Sequence, residues 1–307
     1  MKILVVGAGA TGGYFGACLA AAGRDVTFLV RERRAAFLER RGLRVVGGRR
    51  ELRVAPKVTT AGHLGGKFDV VLLTVKAAGL AGAIADLAPA VGPNTVIVPF
   101  MNGMAHMEEL GAAFGAGKVL GSTVHLVGTI NGDGDIAILN PLARWTLGEP
   151  EGGTSGRLEA LLAEVSVPGI EVVSAENGLA AMWDKWAFIV AAGVVTCLMR
   201  GTVGDIAAVP GGTGFVAAVV AETCEVAAAA GFAVPDAERA NTLAFLSAPG
   251  SAFTSSLYRD VTAGLPNEAE HIVGDFAARA AALEVSVPLT NLALLQLRVH
   301  EVAAGRG

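Results

Sequence analysis

The feature that most limits what this chain can fold into is a glycine-rich segment near its start, Gly7-Ala8-Gly9-Ala10-Thr11-Gly12. It follows an apolar run over residues 2–6 and opens a helical segment over residues 11–22. In that context the first glycine permits a tight turn, the second lets the backbone approach a pyrophosphate, and the third lets the helix pack closely on the strand. The N–H groups at the helix start then face the anion. The segment predicts a dinucleotide site with these six residues as cofactor contacts.

The end of the second predicted strand, residues 25–30, indicates which dinucleotide is bound. An acidic residue there would accept hydrogen bonds from the ribose 2′-OH of NAD, whereas an arginine suits the 2′-phosphate of NADP. This strand runs into Arg31, with Arg33 and Arg34 close behind. We therefore expect NADPH/NADP+ as the cofactor and Arg31 as one of its contacts.

The charge distribution agrees with an anionic ligand. Residues 31–57 hold ten basic and three acidic residues, a local balance of +7, while the rest of the chain carries −11. A basic sector on an acidic protein is more typical of a small anionic ligand than of nucleic acid, which usually needs a basic domain overall. The alternative is a solvated helix and hairpin surface, and the arginines at the strand end favour the ligand.

Strand-like and helix-like segments alternate through the first half of the chain, which predicts a parallel sheet with helical crossovers. The predicted strands cover residues 2–6, 25–30, 69–75 and 95–100, and the predicted helices cover residues 11–22, 77–90 and 104–114. A hairpin is expected over residues 43–55, with Gly47-Gly48 at its turn. Further strands are predicted over residues 119–130, 135–139, 144–148 and 169–174.

The texture of the sequence changes after Glu176, where it becomes alanine-rich with long helical periods. We predict an α/β fold class in which an N-terminal Rossmann-type parallel sheet with extra strands is followed by an all-α C-terminal domain. The expected domains are an NADP-binding Rossmann domain over residues 1–175 and a helical substrate and catalytic domain over residues 176–307.

Composition excludes several classes of protein. With 52% hydrophobic and 17% charged residues, the chain has too much apolar surface for a disordered or fibrous protein. The apolar run over residues 186–199 is shorter than the roughly 20 residues that cross a bilayer, and no secretory leader precedes the first strand. Cys18, Cys197 and Cys224 have neither disulfide-framework nor metal-ligand spacing. We expect a cytoplasmic protein with no metal, membrane or nucleic-acid partner.

A single lysine, Lys185, lies in the apolar segment over residues 180–199. Apolar residues occur all round the helical wheel of this segment, which predicts a buried helix. Lysine is rarely buried without a function, and burial would lower its pKa toward neutrality, where it could transfer a proton. The alternatives are a side chain that reaches the surface or one that pairs with Asp184. The residues alone leave these interpretations open.

A second polar group of residues follows at 254–260 and 265–270. Asn267 can cap the helix after it, and Glu268 lies at the edge of that helix's apolar face. Capping and compensation of the helix dipole explain the glutamates adequately, so periodicity does not single out Glu268.

These features, in this order, resemble the ketopantoate reductase (2-dehydropantoate 2-reductase) family over nearly the whole chain. The matching segments are Gly7–Gly12, Thr74-Val75-Lys76-Ala77, Asn102-Gly103-Met104, Gly121-Ser122-Thr123-Val124-His125, Trp183-Asp184-Lys185, Ser255-Ser256 through Asp260, and Asn267-Glu268. The resemblance implies an enzyme of pantothenate biosynthesis, an oxidoreductase that reduces 2-dehydropantoate (ketopantoate) to (R)-pantoate with NADPH. It also implies that the helical domain closes a cleft over the nicotinamide.

The resemblance also implies roles for individual residues. Lys185 matches the family's proton donor and catalytic residue, and it also contacts substrate. Ser256 falls where the family holds the substrate carboxylate. Asn102 falls where the family contacts both cofactor and substrate. Further cofactor contacts are implied at Lys76, Val127 and Glu268.

Three departures from the family pattern affect the substrate side. Ile189, Gly193 and Phe253 stand where well-known members carry asparagines. A site without partners for a substrate hydroxyl treats such groups differently. The alternatives are therefore a reductase of a related, more apolar 2-oxo acid, or a non-catalytic NADPH-binding protein. The alanine-rich helices of the second domain are compatible with a homodimer.

Overall fold

Apolar, β-branched runs form two sheets in the computed structural model, which describes residues 1–48 and 51–305. The strands are β1 (Lys2–Val6), β2 (Asp25–Leu29), β3 (Leu43–Val46), β4 (Leu52–Val54), β5 (Lys57–Thr59), β6 (Phe68–Leu73), β7 (Val91–Pro99), β8 (Gly121–Ile130), β9 (Ile136–Gly148) and β10 (Glu171–Ser174).

The α-helices of the described residues alternate with the strands and then follow one another. They are α1 (Ala10–Ala21), α2 (Glu32–Arg41), α3 (Leu80–Leu87), α4 (Ala105–Phe114), α5 (Gly156–Val165), α6 (Gly178–Met199), α7 (Val203–Ala207), α8 (Gly212–Ala229), α9 (Asp236–Leu246), α10 (Ser256–Thr262), α11 (Asp275–Ala282) and α12 (Pro288–Ala303).

The first sheet is parallel, with strand order β5-β2-β1-β6-β7. Its two central strands, β1 and β6, are almost completely buried because helices cover both faces of the sheet, which is why they read as continuous apolar runs. The second sheet has the order β10-β9-β3-β4, with β8 antiparallel to β9. Beyond β10 the described residues form helices and loops only. The predicted fold class is confirmed.

The predicted hairpin is confirmed, because β3 and β4 pair antiparallel with Leu43 opposite Val54. Residues 49 and 50 of its loop lie outside the described residues. The two strands predicted over residues 135–139 and 144–148 are wrong as separate elements, since β9 runs through both. Pro141 marks an irregularity rather than an end: Asn140 pairs with Val127 and Ala143 with Leu126, so two residues bulge from the ladder.

The chain divides into two units, the first comprising residues 1–101 and 106–181 and the second comprising residues 102–105 and those from Met182 onward. The predicted domain boundary near residue 175 lies a few residues before this division. Helix α6 begins at Gly178, just inside the first unit, and continues into the second.

The buried helix predicted over residues 180–199 is confirmed as α6, which begins two residues earlier. Its 22 residues make it, with α8, long and apolar enough by length and composition to cross a bilayer, whereas the apolar run identified in the sequence covered only residues 186–199. Of the most apolar stretch of α6, 67% is buried inside the protein. Trp186 of this helix packs edge-on against Phe276 of α11, with ring centroids 5.0 Å apart, as in a core helix.

A buried carboxylate fixes the last helix of the second unit. Glu222 on α8 accepts hydrogen bonds from the backbone N–H groups of Leu289 (2.8 Å) and Thr290 (3.0 Å) and from the Thr290 hydroxyl (2.9 Å). These are donors of the first turn of α12, which the helix itself cannot satisfy. The carboxylate therefore caps α12 and complements its dipole.

Candidate active site

The glycine loop between β1 and α1 has the geometry that its sequence predicts. Gly7 has φ +102°, a conformation that L side chains rarely adopt. A Cβ at Gly12 would lie 2.0 Å from Thr74 Oγ1 and 2.5 Å from the Gly7 carbonyl oxygen, so close packing of α1 requires glycine there. A Cβ at Gly9, by contrast, would meet no atom of the protein within 4 Å.

That open space at Gly9 fits a dinucleotide. No protein contact demands a glycine at this position, yet Gly9 is the N-cap of α1 and has no side chain to cap the helix. The N–H groups of the first turn need acceptors that a helix cannot provide for itself. A pyrophosphate over Gly9 would supply them, so the residues present fit the cofactor that the sequence predicts.

Thr74 joins the ends of two neighbouring strands beneath this loop. Its hydroxyl lies 2.9 Å from the carbonyl oxygen of Val6 and 3.1 Å from that of Gly7. The end of β6 is thereby tied to the end of β1 at the turn where the glycine loop begins. Sequence reasoning quoted Thr74 as part of a family segment but gave it no role.

Two of the predicted cofactor contacts lie at the same edge of the first sheet as the glycine loop. Arg31 follows β2 and is the N-cap of α2, and Lys76 follows β6. Strands β2 and β6 flank β1 on either side, and the carboxyl ends of parallel strands share one edge. Both side chains are exposed. Val127 lies on a different sheet, on β8 at the bulge opposite Asn140, and is 39% exposed.

Three arginines of the basic sector are engaged by one loop of the second sheet. Arg44 forms an ion pair with Asp135 (3.1 Å), and Arg41 donates a hydrogen bond to the carbonyl oxygen of Asp133 (2.9 Å). Arg34 donates a hydrogen bond to the carbonyl oxygen of Gly134 (3.3 Å). These three arginines therefore hold the 131–135 loop in place. Arg31 and Arg33 remain exposed at the strand end.

The helical unit carries the predicted proton donor, Lys185, on α6. The side chain as a whole is partly accessible to solvent, yet burial of its ammonium dominates and lowers the pKa from 10.5 to about 8. The negative charge of half-buried Glu268 opposes that shift. A lysine with this pKa is mostly protonated at neutral pH but can release its proton to an acceptor of moderate basicity.

The backbone beside Glu268 is linked to α6 through a tryptophan. The indole N–H of Trp186, the residue after Lys185, donates a hydrogen bond to the carbonyl oxygen of Ile272 (3.0 Å). Ile272 lies in a π-helical turn, Glu270–Gly274. Such turns are rare in proteins overall, and many of those known lie at functional sites. The Ile272 N–H in turn donates to the carbonyl oxygen of Glu268 (2.8 Å). Lys185 and Glu268 thus lie on segments joined by a short hydrogen-bonded chain.

Asn102 belongs to the same unit, and His271 holds its backbone. The imidazole Nε2 of His271 lies 2.7 Å from the carbonyl oxygen of Asn102. Because a carbonyl oxygen only accepts, Nε2 must carry the hydrogen. The next residue, Gly103, has φ +78°, and a Cβ there would lie 3.2 Å from the His271 carbonyl oxygen. Sequence reasoning missed His271.

Ser256 is the exposed first residue of α10, and its neighbour Ser255 fixes that helix. The Ser255 hydroxyl accepts a hydrogen bond from the Tyr258 N–H (3.0 Å) and lies 2.8 Å from Thr196 Oγ1 on α6. A Cβ at Gly193, one turn earlier on α6, would lie 3.4 Å from the Leu257 side chain. The start of α10 therefore packs along the half of α6 that follows Lys185.

The predicted site residues accordingly form two groups. The glycine loop, Arg31 and Lys76 gather at the strand edge of the first unit. Asn102, Lys185, Ser256 and Glu268 belong to the second unit. A glycine loop on a parallel sheet and a lysine with a buried ammonium in a helical unit are features of two-domain oxidoreductases.

Comparison with known proteins gives the family within that class. The family model described as ketopantoate reductase PanE/ApbA matches residues 3–152, and its C-terminal counterpart matches residues 177–301. The chain belongs to the ketopantoate reductase family, which confirms the resemblance seen in the sequence.

Individual relatives are similar over almost their full length. The chain is 32% identical over 301 residues to the uncharacterized oxidoreductase YkpB of Bacillus subtilis, which covers 98% of this chain and 99% of that protein. A crystal structure of 2-dehydropantoate 2-reductase from Methylococcus capsulatus has 28% identity and a TM-score of 0.89, covering 100% and 99% of the two chains. The fold is also that of a D-mandelate dehydrogenase solved with NADH and anilino(oxo)acetate, at 17% identity, a TM-score of 0.86, and 99% and 100% coverage.

Proposed function

We propose that this protein is an NADPH-dependent reductase that converts a 2-oxo acid into the corresponding 2-hydroxy acid. The observation that carries the proposal is the lysine of α6, whose ammonium is buried and whose pKa falls to about 8. When bound, the cofactor supplies the hydride that C2 of the substrate receives. Lys185 donates a proton to the carbonyl oxygen as negative charge develops there, which lowers the barrier.

The other residues of the second unit bind and orient the substrate in this proposal. Ser256, exposed at the start of α10, donates a hydrogen bond to the substrate carboxylate. Asn102, held by His271, contacts substrate and cofactor. Glu268 contacts the cofactor, and its charge keeps the pKa of Lys185 from falling further, which preserves the protonated donor at neutral pH.

The cofactor preference rests on Arg31. In the proposal its guanidinium binds the 2′-phosphate of NADPH at the end of β2. The planar guanidinium can donate two parallel hydrogen bonds to a phosphate dianion. Lys76 and Val127 make further cofactor contacts, and the glycine loop cradles the pyrophosphate.

Two substrates are candidates. 2-Dehydropantoate, with pantothenate biosynthesis as the context, is supported by kinship, since the solved Methylococcus capsulatus relative is a 2-dehydropantoate 2-reductase. A more apolar 2-oxo acid is supported by three residues without polar side chains. Ile189 and Gly193 follow Lys185 on α6, and Phe253 lies in the segment before α10.

The test is to follow NADPH absorbance with a panel of 2-oxo acids that includes 2-dehydropantoate. We expect turnover with at least one of them, and its loss in Lys185→Ala with NADPH binding retained. NADPH binding without turnover of any 2-oxo acid would contradict the proposal and favour a non-catalytic NADPH-binding protein.

We also propose that the protein is a homodimer, supported by an apolar stripe on α12. Leu292, Leu295, Val299 and Val302 recur at helical spacing and are 54%, 59%, 61% and 69% exposed. Sedimentation should give twice the chain mass for the native protein and a smaller species for Leu295→Glu. A wild-type monomer at micromolar concentration would contradict this proposal.

A further inference from the structure

Three phenylalanines of the second unit form an aromatic cluster that is incompletely covered. Phe188 of α6 packs against Phe245 of α9 with ring centroids 5.7 Å apart, and Phe245 packs against Phe253 at 4.8 Å. Phe245 is 44% exposed, and the other two rings are partly exposed. The core ring Phe276 in the same unit is fully buried, so the unit covers other aromatic rings completely.

This cluster lies beside the predicted proton donor. Phe188 is three residues after Lys185 on α6, and Ile189 is four residues after it, so all three share a helix face. The segment that carries Phe253 is held to the same helix by the contact between Ser255 and Thr196. Phe188 and Ile189 therefore lie within about one helical turn of Lys185, on the same side of α6.

Two polar groups near the cluster are already engaged within the protein. The Ser255 hydroxyl is bonded to Thr196 and to the Tyr258 N–H, and the Thr254 carbonyl oxygen accepts a hydrogen bond from Arg259 (2.6 Å). Ile189 and the phenylalanines have no hydrogen-bonding atom in their side chains. A substrate hydroxyl placed here would lose its hydration without gaining a partner, which costs binding free energy.

We propose that Phe188, Phe245 and Phe253, with Ile189, form the binding site for the side chain of the substrate, and that the preferred substrates are 2-oxo acids with a branched or aromatic hydrocarbon side chain. This inference rests on the proposed function, because it assumes reduction of a 2-oxo acid at Lys185. It goes further in assigning the specificity to one cluster and in placing 2-dehydropantoate among the poorer substrates.

A matched pair of substrates tests the preference. 2-Dehydropantoate differs from 3,3-dimethyl-2-oxobutanoate by a single hydroxyl on one methyl group. With NADPH in excess we expect kcat/KM to be about 10- to 100-fold higher for the hydrocarbon analogue, the scale on which an apolar site discriminates against an added hydroxyl. A site built to bind the hydroxyl would reject the analogue by far more in the opposite direction.

Variants test whether the cluster is responsible. Phe253→Asn should lower the preference for the analogue about tenfold, and Phe245→Leu should lower turnover of phenylglyoxylate more than that of pyruvate, because aromatic contact is lost. Phe114→Leu, at a partly buried ring of α4 in the first unit, is the matched control and should leave both ratios unchanged. NADPH affinity and thermal unfolding confirm that each variant is folded.

The outcomes separate the two proposals. Turnover of 2-dehydropantoate equal to or better than that of the analogue overturns this inference and leaves the proposed function intact. Preference for the analogue that Phe253→Asn does not change also overturns it, because the specificity then lies elsewhere. Absence of turnover with every 2-oxo acid overturns the proposed function and this inference with it.

Discussion

The two units of this protein carry candidate binding residues of different kinds. In the first unit the proposed pyrophosphate cradle is made of backbone: a turn at Gly7, an open surface at Gly9 and a close approach at Gly12, all within six residues. In the second unit the candidate residues are single side chains on separate segments, Asn102, Lys185, Ser256 and Glu268.

That difference explains why one site leaves a motif in the sequence and the other does not. The backbone geometry of the glycine loop requires glycine at fixed intervals, so the loop can be recognised in the sequence by its glycine spacing. A site assembled from distant segments records only isolated residues, whose meaning depends on what surrounds them in the fold. The comparison predicts that substitutions in the glycine loop act on cofactor binding and that substitution of Lys185 acts on turnover.

The largest effect is expected at Lys185. Lys185→Met should lower kcat by about 10²- to 10⁴-fold, the scale of a positioned acid, and leave the Kd of NADPH nearly unchanged. It should also raise the free energy of unfolding at neutral pH by about 1–3 kcal/mol, since the lowered pKa means that burying the ammonium destabilises the fold below that pKa.

Turnover assays and urea unfolding measure the two effects. Lys57→Met is the matched control, because Lys57 is an exposed lysine paired with Asp25 at 2.6 Å. It should change neither kcat nor, by more than a fraction of a kcal/mol, stability. Near-normal turnover by Lys185→Met would contradict the proposal that the second unit supplies the proton donor.

A pair of glycine variants sharpens the comparison inside the first unit. Gly12→Ala forces a Cβ against Thr74 and the Gly7 carbonyl oxygen, so stability should fall by about 1–3 kcal/mol or more, and NADPH binding with it. Gly9→Ala meets no protein atom, so stability should hold while the Kd of NADPH rises about tenfold or more. Thermal unfolding measures the effect on stability, and fluorescence titration measures the Kd of NADPH. A Gly9→Ala protein that binds NADPH normally would contradict the proposal that the glycine loop binds the pyrophosphate.

Arg31→Ala tests the cofactor preference. Loss of a charge-assisted contact worth about 1.5–3 kcal/mol should raise the KM for NADPH about 10- to 100-fold and leave the KM for NADH unchanged. Arg40→Ala, an exposed arginine in the last turn of α2, is the control. Equal catalytic efficiency of the wild-type enzyme with NADH and NADPH would show that the preference is absent.

The smallest effect is expected at His271, which acts through Asn102 rather than on the substrate. His271→Ala should lower kcat/KM about tenfold, whereas His271→Gln, whose amide nitrogen can donate from nearly the same place as Nε2, should restore most of it. A Gln variant as impaired as Ala would contradict the positioning role.

How much the sequence could predict follows the same division. The parallel sheet, the hairpin of β3 and β4 and the helical second unit were predictable, because each depends on local periodicity and turn chemistry. The continuity of β9 through Pro141 was not, since a bulge is tolerated only where the partner strand β8 accommodates it. The buried helix predicted over residues 180–199 was nearly complete, because α6 begins only two residues earlier, at Gly178.

In the site, Lys185 was conspicuous as a lysine within an apolar helix, but only the fold shows that its ammonium is buried and that Glu268 is near enough to influence it. His271 could not be predicted, because its partner is a backbone carbonyl 169 residues away and leaves no trace in side-chain pattern. The signal that the sequence offered was its position three residues after Glu268. The structure adds that this position lies in the π-helical turn.

The most direct test of the central claim is the pH dependence of kcat/KM for 2-oxo acid reduction. A proton donor must be protonated, so the rate should fall about tenfold per pH unit above an apparent pKa near 8, while oxidation of the 2-hydroxy acid rises through the same value. Lys185→Met should lose that dependence. A wild-type reduction rate that stays constant as pH rises through 8 would contradict the assignment of Lys185 as the proton donor.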